Sequence, residues 1–105
     1  MNDISDRPSL LLSLQRALLN EVHPELRQVS IEANAISEVV RLRFEYDGVP
    51  TESARESCSC VSTEVISDFP APWDLEEDHI SVPYPHKLSA LAHVAYRRWE
   101  PERAA

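Results

Sequence analysis

Glycine is almost absent from this chain, because Gly48 is the single glycine among 105 residues. The P-loop and the dinucleotide-binding fingerprint cradle phosphate groups with several glycines at fixed spacing, so the sequence argues against a nucleotide cofactor. Long apolar runs are lacking as well. The longest, around residues 10–12, is far shorter than the roughly 20 residues of a membrane-spanning helix. We therefore expect no cofactor and no membrane contact.

Near the N-terminus, Asp3 and Asp6 stand where a secretory signal would carry Lys or Arg. A cytoplasmic location is the resulting expectation. The hydrophobic content of 43% and the charged content of 27% are typical of a globular protein. We predict one domain over residues 1–105, ordered from about 9 to 99, with loose tails.

Cysteine is scarce too, with Cys58 and Cys60 as the two examples. In a helix, residues two apart point about 200° away from each other, so these two can neither form a disulfide nor share a metal. The apolar positions around them place Cys58 inward and Cys60 outward. Both suit a reducing compartment.

What the chain has in excess is negative charge, concentrated in residues 44–78. This segment holds ten carboxylates and one base, Arg55. It therefore accounts for the net charge of −8 that the whole chain carries. Such a field attracts basic partners and repels phosphate. A solvated face without function is the simpler interpretation. The ten are Glu45, Asp47, Glu52, Glu56, Glu64, Asp68, Asp74, Glu76, Glu77 and Asp78.

Hydrophobic periodicity predicts a helix followed by two strands in the first half. Leu11, Leu14, Leu18 and Val22 recur at helical spacing, which predicts a helix over residues 9–22 that ends before Pro24. Alternation of apolar and polar residues then predicts strands over 27–33 and 40–46. The short turn at 34–37 favours an antiparallel hairpin.

The second half repeats the order of helix, strand and strand. Thr51 or Ser53 can cap a helix that runs to about residue 68 and buries Ala54, Cys58, Val61 and Val65. Strands are predicted over 79–84 and 92–99, the latter with Val94 and Tyr96 on one face. The fold class is α+β: a four-stranded, mainly antiparallel sheet with both helices packed on one face.

Several chemistries remain open but have weak support. His79, His86 and His93 are seven residues apart, yet prolines between them prevent a common helix face for zinc. Cys60 could serve as a nucleophile beside a histidine, although its surroundings are acidic. Glu76 and Glu77 are better explained as a loop surface than as a hydrolytic pair. Arg97-Arg98 with Tyr96 and Trp99 is the one possible nucleic-acid footprint, and the net charge opposes it.

Three stretches carry a family resemblance: residues 10–19, residues 55–69, and Tyr84-Pro85 together with 95–98. They resemble small bacterial immunity proteins that are encoded beside toxins of contact-dependent growth inhibition systems. The resemblance implies a protein that binds and neutralises the C-terminal domain of its cognate toxin, commonly a nuclease, inside the producing cell. It assigns no interface residues.

The acidic segment supports the same hypothesis independently, because a nuclease is basic where it holds phosphates. Two other classes stay open: an acidic adaptor or regulatory subunit of a cytoplasmic complex, and a small hydrolase. We predict no catalytic residue, no metal and no direct nucleic-acid contact. The predicted partner-binding residues are Glu52, Glu56, Asp74, Glu76, Glu77 and Asp78.

Overall fold

A computed structural model describes residues 4–101 of the protein. Its elements follow the predicted order of helix, strand, strand, helix, strand and strand. None of the helices in this part of the chain is both long and apolar enough to cross a bilayer. The bounds are α1 Arg7–Leu18, β1 Leu26–Asn34, β2 Val39–Tyr46, α2 Glu52–Ser67, β3 Asp74–Ser81 and β4 His93–Arg97.

The four strands form one sheet in the order β3-β2-β1-β4. β1 is antiparallel to both β2 and β4, so the predicted hairpin is confirmed. β3 runs parallel to β2, which makes the sheet mixed and not antiparallel throughout. The 16-residue helix α2 explains this direction. It carries the chain back across the sheet, so that β3 starts at the same end as β2.

Both helices pack on one face of the sheet, as predicted. Val29 and Ile31 of β1 and Leu42 and Phe44 of β2 are completely buried between the sheet and the helices. α2 adds the predicted stripe of Ala54, Cys58, Val61 and Val65. The opposite face, which we call the polar face, carries Gln28, Ser30, Arg41, Arg43, Glu45, Glu76 and Asp78.

Helix α1 is shorter than predicted. It begins after Asp6, whose carboxylate accepts a hydrogen bond from the N–H of Ser9 at 2.9 Å. It ends at Leu18 because the backbone turns at Asn20, where φ is 68° and the conformation is left-handed. Val22 therefore lies outside the helix and is 39% exposed.

The prediction for the third strand was displaced along the chain. We expected it over residues 79–84, but β3 covers Asp74–Ser81. Glu76 and Glu77, which we interpreted from the sequence as a loop surface, lie within this strand. The strand pairs with β2 in unbroken register. The prolines at 83 and 85 follow the strand instead of lying within it.

The face assignment in the last strand was also wrong. Tyr96 lies opposite Val29, whereas Val94 lies opposite Ser30, so the two side chains point to different faces. An irregularity in the pairing with β1 inserts one residue between them. Tyr96 packs against the core and Val94 is 38% exposed.

The connection from β3 to β4 covers part of the polar face. These strands lie at opposite edges of the sheet, so residues 82–92 must cross it. The N–H of Ser89 donates to the carboxylate of Glu45 at 2.6 Å, and the N–H of Leu91 donates to the hydroxyl of Ser30 at 2.9 Å. Glu45 is completely buried as a result.

Candidate partner-binding surface

The outer side of α2 carries a shallow groove of about 790 Å³. Because α2 buries one apolar stripe, the residues between the stripe positions face away from the core. The segment between α1 and β1 contributes one further wall residue. We call this feature the α2 groove; its lining residues are Glu21, Glu52, Arg55, Glu56, Ser59, Cys60, Thr63 and Glu64.

Negative charge dominates the α2 groove, which contains four carboxylates and one guanidinium group. Two of the predicted partner residues, Glu52 and Glu56, lie here and are exposed. Thr51 is the N-cap, and its hydroxyl accepts from the N–H of Ala54 at 3.1 Å. Glu52 follows in the first turn, where the helix dipole favours a carboxylate. The charge at this end of α2 is therefore compatible with the helix itself.

Glu77 connects the α2 groove to the edge of the sheet. Its carboxylate accepts a hydrogen bond from the hydroxyl of Ser59, which lines the groove, at 3.2 Å. The same carboxylate oxygen lies 2.9 Å from Nε2 of His79. Nδ1 of His79 in turn lies 2.8 Å from the hydroxyl of Tyr46. Side chains of α2, β3 and β2 are thus joined in one chain of hydrogen bonds.

Tyr46, Cys58 and His79, which lie in or beside this series of hydrogen bonds, are poor candidates for catalysis. Burial raises the pKa of Tyr46 above its ordinary value, and burial raises the pKa of Cys58 to about 11. Cys58 is therefore a buried neutral thiol, as its predicted inward position implies. His79 stacks on Phe44 at 5.2 Å between ring centroids, and both of its ring nitrogens have partners. Tyr46, the group that His79 could activate, is completely buried, so its hydroxyl is not accessible to a substrate.

Two acidic residues of β3 point to the polar face and are paired with arginines of β2. Glu76 lies 3.4 Å from Arg41, and Asp78 lies 3.2 Å from Arg43. Arg43 also donates to the carbonyl oxygen of Ser89 at 2.8 Å, which holds it in place. The positive charge of β2 offsets much of the negative field on this face.

The six predicted partner residues consequently do not form one patch. Glu52, Glu56 and Glu77 lie on the helix side of the molecule. Glu76 and Asp78 lie on the polar face, and Asp74 is exposed at the first position of β3. Glu52 and Glu56 line the α2 groove, where four carboxylates share one arginine, whereas Glu76 lines a second groove, of about 780 Å³, beside Arg41.

The other chemistries considered from the sequence find little geometric support. Within residues 4–101 there is no group of three or more His, Cys, Asp or Glu side chains placed to hold a metal ion. Cys60 is exposed among the carboxylates of the α2 groove. Arg97 donates to Oε1 of Gln28 at 2.6 Å, and Arg98 donates to Asp47 at 3.0 Å. Both arginines of the suspected nucleic-acid footprint are thus bound within the protein.

Sequence reasoning missed a buried ion pair. Arg27 donates two hydrogen bonds to the carboxylate of Glu100, at 2.6 and 2.8 Å, and the two side chains are 4% and 5% exposed. Nη1 of Arg27 donates to the carbonyl oxygens of Val82 and His86 at 2.7 and 2.8 Å. No local pattern could reveal this pair, because its members are 73 residues apart.

Arg98 and Asp47 extend the pair into what we call the Arg27–Glu100 network. Arg98 lies 3.1 Å from Glu100 and 3.0 Å from Asp47. The hydrogen bonds from Arg27 lower the pKa of Glu100, and the N–H of Tyr84 and the Arg98 guanidinium lower the pKa of Asp47. The network remains charged at neutral pH and ties the crossing segment and residue 100 to β1.

A model of the MafI2 immunity protein family matches residues 7–100. The chain belongs to the MafI2 immunity protein family. The resemblance to small bacterial immunity proteins is confirmed at this level. The link to contact-dependent growth inhibition stays a prediction. In this MafI2 family member, the matched region contains the α2 groove, β3 and the Arg27–Glu100 network. A comparison with curated proteins gave no match.

Proposed function

We propose that this protein neutralises a cognate toxin by covering a basic surface of the toxin domain with the α2 groove and the adjoining Glu77. Membership in an immunity family supports the general role. The observation that carries the surface assignment is the uneven pairing of charge. Four carboxylates share the groove with Arg55 alone, whereas Glu76 and Asp78 each have an arginine partner.

Unpaired carboxylates that lie close together repel one another, so such a cluster costs some stability in the free protein. A basic partner relieves the repulsion and gains attraction at the same time. A nuclease domain has the required complement, because it must be basic where it holds phosphates. We infer that the toxin domain is nuclease-like. The negative charge of the α2 groove then imitates the phosphate groups of the nucleic acid that the toxin binds.

The same geometry favours inhibition by binding over inhibition by chemistry. Both ring nitrogens of His79 are engaged by Tyr46 and Glu77, and its side chain is 7% exposed. A general base needs an accessible nitrogen within hydrogen-bond reach of the substrate. The proposed mechanism needs no enzyme activity and no cofactor, and it operates in the cytoplasm of the producing cell.

Co-expression tests this proposal directly. The protein is produced together with the C-terminal domain of the protein that the adjacent gene encodes, in cells where that domain alone arrests growth. We expect growth to be rescued and the two proteins to co-purify at a fixed ratio. Arrest that persists, with no co-purification at equal expression, would contradict the proposal.

A further inference from the structure

The outer edge of β3 is a free edge of the sheet. Within residues 4–101, β3 has a strand neighbour on one side, which is β2. The eight residues Asp74–Ser81 pair with β2 without any shift in register. At about 3.3 Å per residue, the strand offers a straight edge of roughly 26 Å.

Main-chain hydrogen bonds to β2 alternate along β3, and this alternation identifies the residues whose N–H and C=O groups point away from β2. The N–H of Asp74 donates to the carbonyl of Glu38 at 2.9 Å, and the N–H of Val82 donates to that of Tyr46 at 2.7 Å. Even-numbered residues of β3 therefore direct their N–H and C=O groups toward β2, since these groups alternate along a parallel strand. The outward-facing residues are Leu75, Glu77, His79 and Ser81.

The main chain of β3 is accessible even at residues whose side chains are largely covered. The side chain of Glu77 is 27% exposed, yet the residue as a whole is exposed. The side chain of His79 is 7% exposed, yet the residue is only partly buried. Much of the accessible area of both residues therefore belongs to the backbone, which is the part that strand addition uses.

The opposite edge of the sheet is less suitable. β4 has five residues, and its pairing with β1 is irregular within them. An irregular pairing twists and bends a strand, which disfavours the addition of another. The edge at β3 is longer and more regular.

Charge then selects what can pair with β3. The side chains of Glu76 and Asp78 flank the edge on the polar face, and that of Glu77 flanks it on the helix side, next to Ser59 of the α2 groove. A second copy of β3 would bring carboxylates against carboxylates, and like charges directly opposite each other destabilise a strand pair. A strand that carries Lys or Arg would meet uncompensated negative charge on the helix side, at Glu77 and the α2 groove, whereas Glu76 and Asp78 on the polar face are already paired with Arg41 and Arg43.

We propose that an extended, basic strand of the toxin domain adds to the sheet along the outer edge of β3. This inference rests on the proposed toxin-neutralising function and specifies how the partner is held. The added strand is continuous with the α2 groove through Glu77, so side chains on its helix side reach the carboxylates there. Main-chain hydrogen bonds provide affinity, and the carboxylates on the helix side, Glu77 and those of the α2 groove, provide selectivity for basic residues.

Hydrogen exchange of the wild-type protein tests the inference without any mutation. The probe is the C-terminal domain encoded by the adjacent gene, purified in complex with this protein. We expect the amides of Leu75, Glu77, His79 and Ser81 to exchange at least about tenfold more slowly in the complex, because each donates a new hydrogen bond. A complex in which these four amides exchange as in the free protein would overturn the inference and leave the proposed function intact.

A matched pair of variants isolates the backbone contribution. Glu77→Pro and Glu77→Ala both remove the carboxylate, but only proline also removes the outward N–H, which makes no bond to β2. We expect Glu77→Pro to bind the toxin domain about tenfold or more weakly than Glu77→Ala, from one lost hydrogen bond and one acceptor left unpaired. Equal dissociation constants would contradict strand addition.

Controls separate the remaining outcomes. If Glu77→Pro does not fold by circular dichroism, Ser81→Pro beside Ser81→Ala replaces it at an exposed position of the same edge. Sedimentation of the free protein tests for self-association. A dimer that protects the same four amides would make a second copy the occupant and overturn the inference. Absence of any complex would refute the proposed function, and this inference with it.

Discussion

Two regions of the molecule concentrate charged side chains and use them in opposite ways. The Arg27–Glu100 network pairs acids with bases, and its central pair is 4% and 5% exposed. The α2 groove collects four carboxylates around Arg55 at the surface. A buried charge must be paired to be tolerated, whereas an exposed one remains hydrated. The network therefore serves the fold, and the groove is available to a partner.

The largest expected effect comes from breaking the network. Arg27→Leu leaves Glu100 buried without its main partner and removes the donor to the carbonyls of Val82 and His86. We expect the free energy of unfolding to fall by about 3–5 kcal/mol. Arg41→Leu is the matched control, because Arg41 is 40% exposed and pairs with Glu32 and Glu76; it should lose about 0–1 kcal/mol. Urea unfolding measures both, and equal losses would contradict the comparison.

Acid should weaken the Arg27–Glu100 network. The pKa values of Glu100 and Asp47 are lowered in the folded protein, by Arg27 and by Tyr84 with Arg98 respectively. Their stabilising contribution is present above the unfolded-state values of about 4 and is lost as pH falls through the lowered folded-state values. We expect the urea midpoint to fall steeply below about pH 4. A Glu100→Gln variant should show a shallower decline, and an unchanged slope would argue against this origin.

The groove should show the reverse behaviour, with little effect on stability and a clear effect on association. Replacing Glu52, Glu56 and Glu64 by glutamine should change the free energy of unfolding by no more than about 0.5 kcal/mol per site. Association with the toxin domain should slow about tenfold at low salt, with a smaller difference at high salt.

The control for this experiment removes the same number of charges from β3. Asp74→Asn, Glu76→Gln and Asp78→Asn together should slow association less, because Arg41 and Arg43 already offset two of these carboxylates. Stopped-flow rates across a salt series make the measurement. Equal slowing by both triple variants would mean that the net charge of the protein, and not the groove, steers the encounter.

The smallest perturbation is chemical labelling of the two thiols on α2. Cys60 is exposed in the groove, so a thiol reagent should label it rapidly and the bound toxin domain should protect it. Cys58 is buried, and burial raises its pKa to about 11, so it should react only when the protein opens. Mass spectrometry of a labelling time course distinguishes the two. Rapid labelling of both cysteines in the folded protein would contradict the orientation of α2.

Local patterns allowed the helices and the hairpin to be predicted because those features depend on neighbours in sequence. The stripe of α2 and the alternation of β2 follow from helical and strand periods alone. The position of β3 could not be predicted in this way. Its run of acidic residues is typical of an exposed loop. In the fold, Arg41 and Arg43 pair with two of these residues, but Asp78 lies 35 residues from Arg43 in the chain, so no local pattern indicates the pairing.

The candidate surface was predictable only in part, for the same reason. Outward positions on α2 identified Glu52 and Glu56 as exposed. The burial of Glu45 under residues 82–92 depends on strand order, since the connection must cross from one edge of the sheet to the other. The proposal that Glu77 belongs with the groove rests on the contact between Glu77 and Ser59.

By itself, the sequence determined the α+β class, the order of the elements, the buried face of α2 and the excess of acid in the central segment. These properties are set by composition and by periods of two and 3.6 residues, which are local. The tertiary structure decided the parallel direction of β3, the pairing of Arg27 with Glu100, and which carboxylates keep an uncompensated charge. Such features depend on distances across the sheet, and Coulomb interactions depend on separation in space and not along the chain.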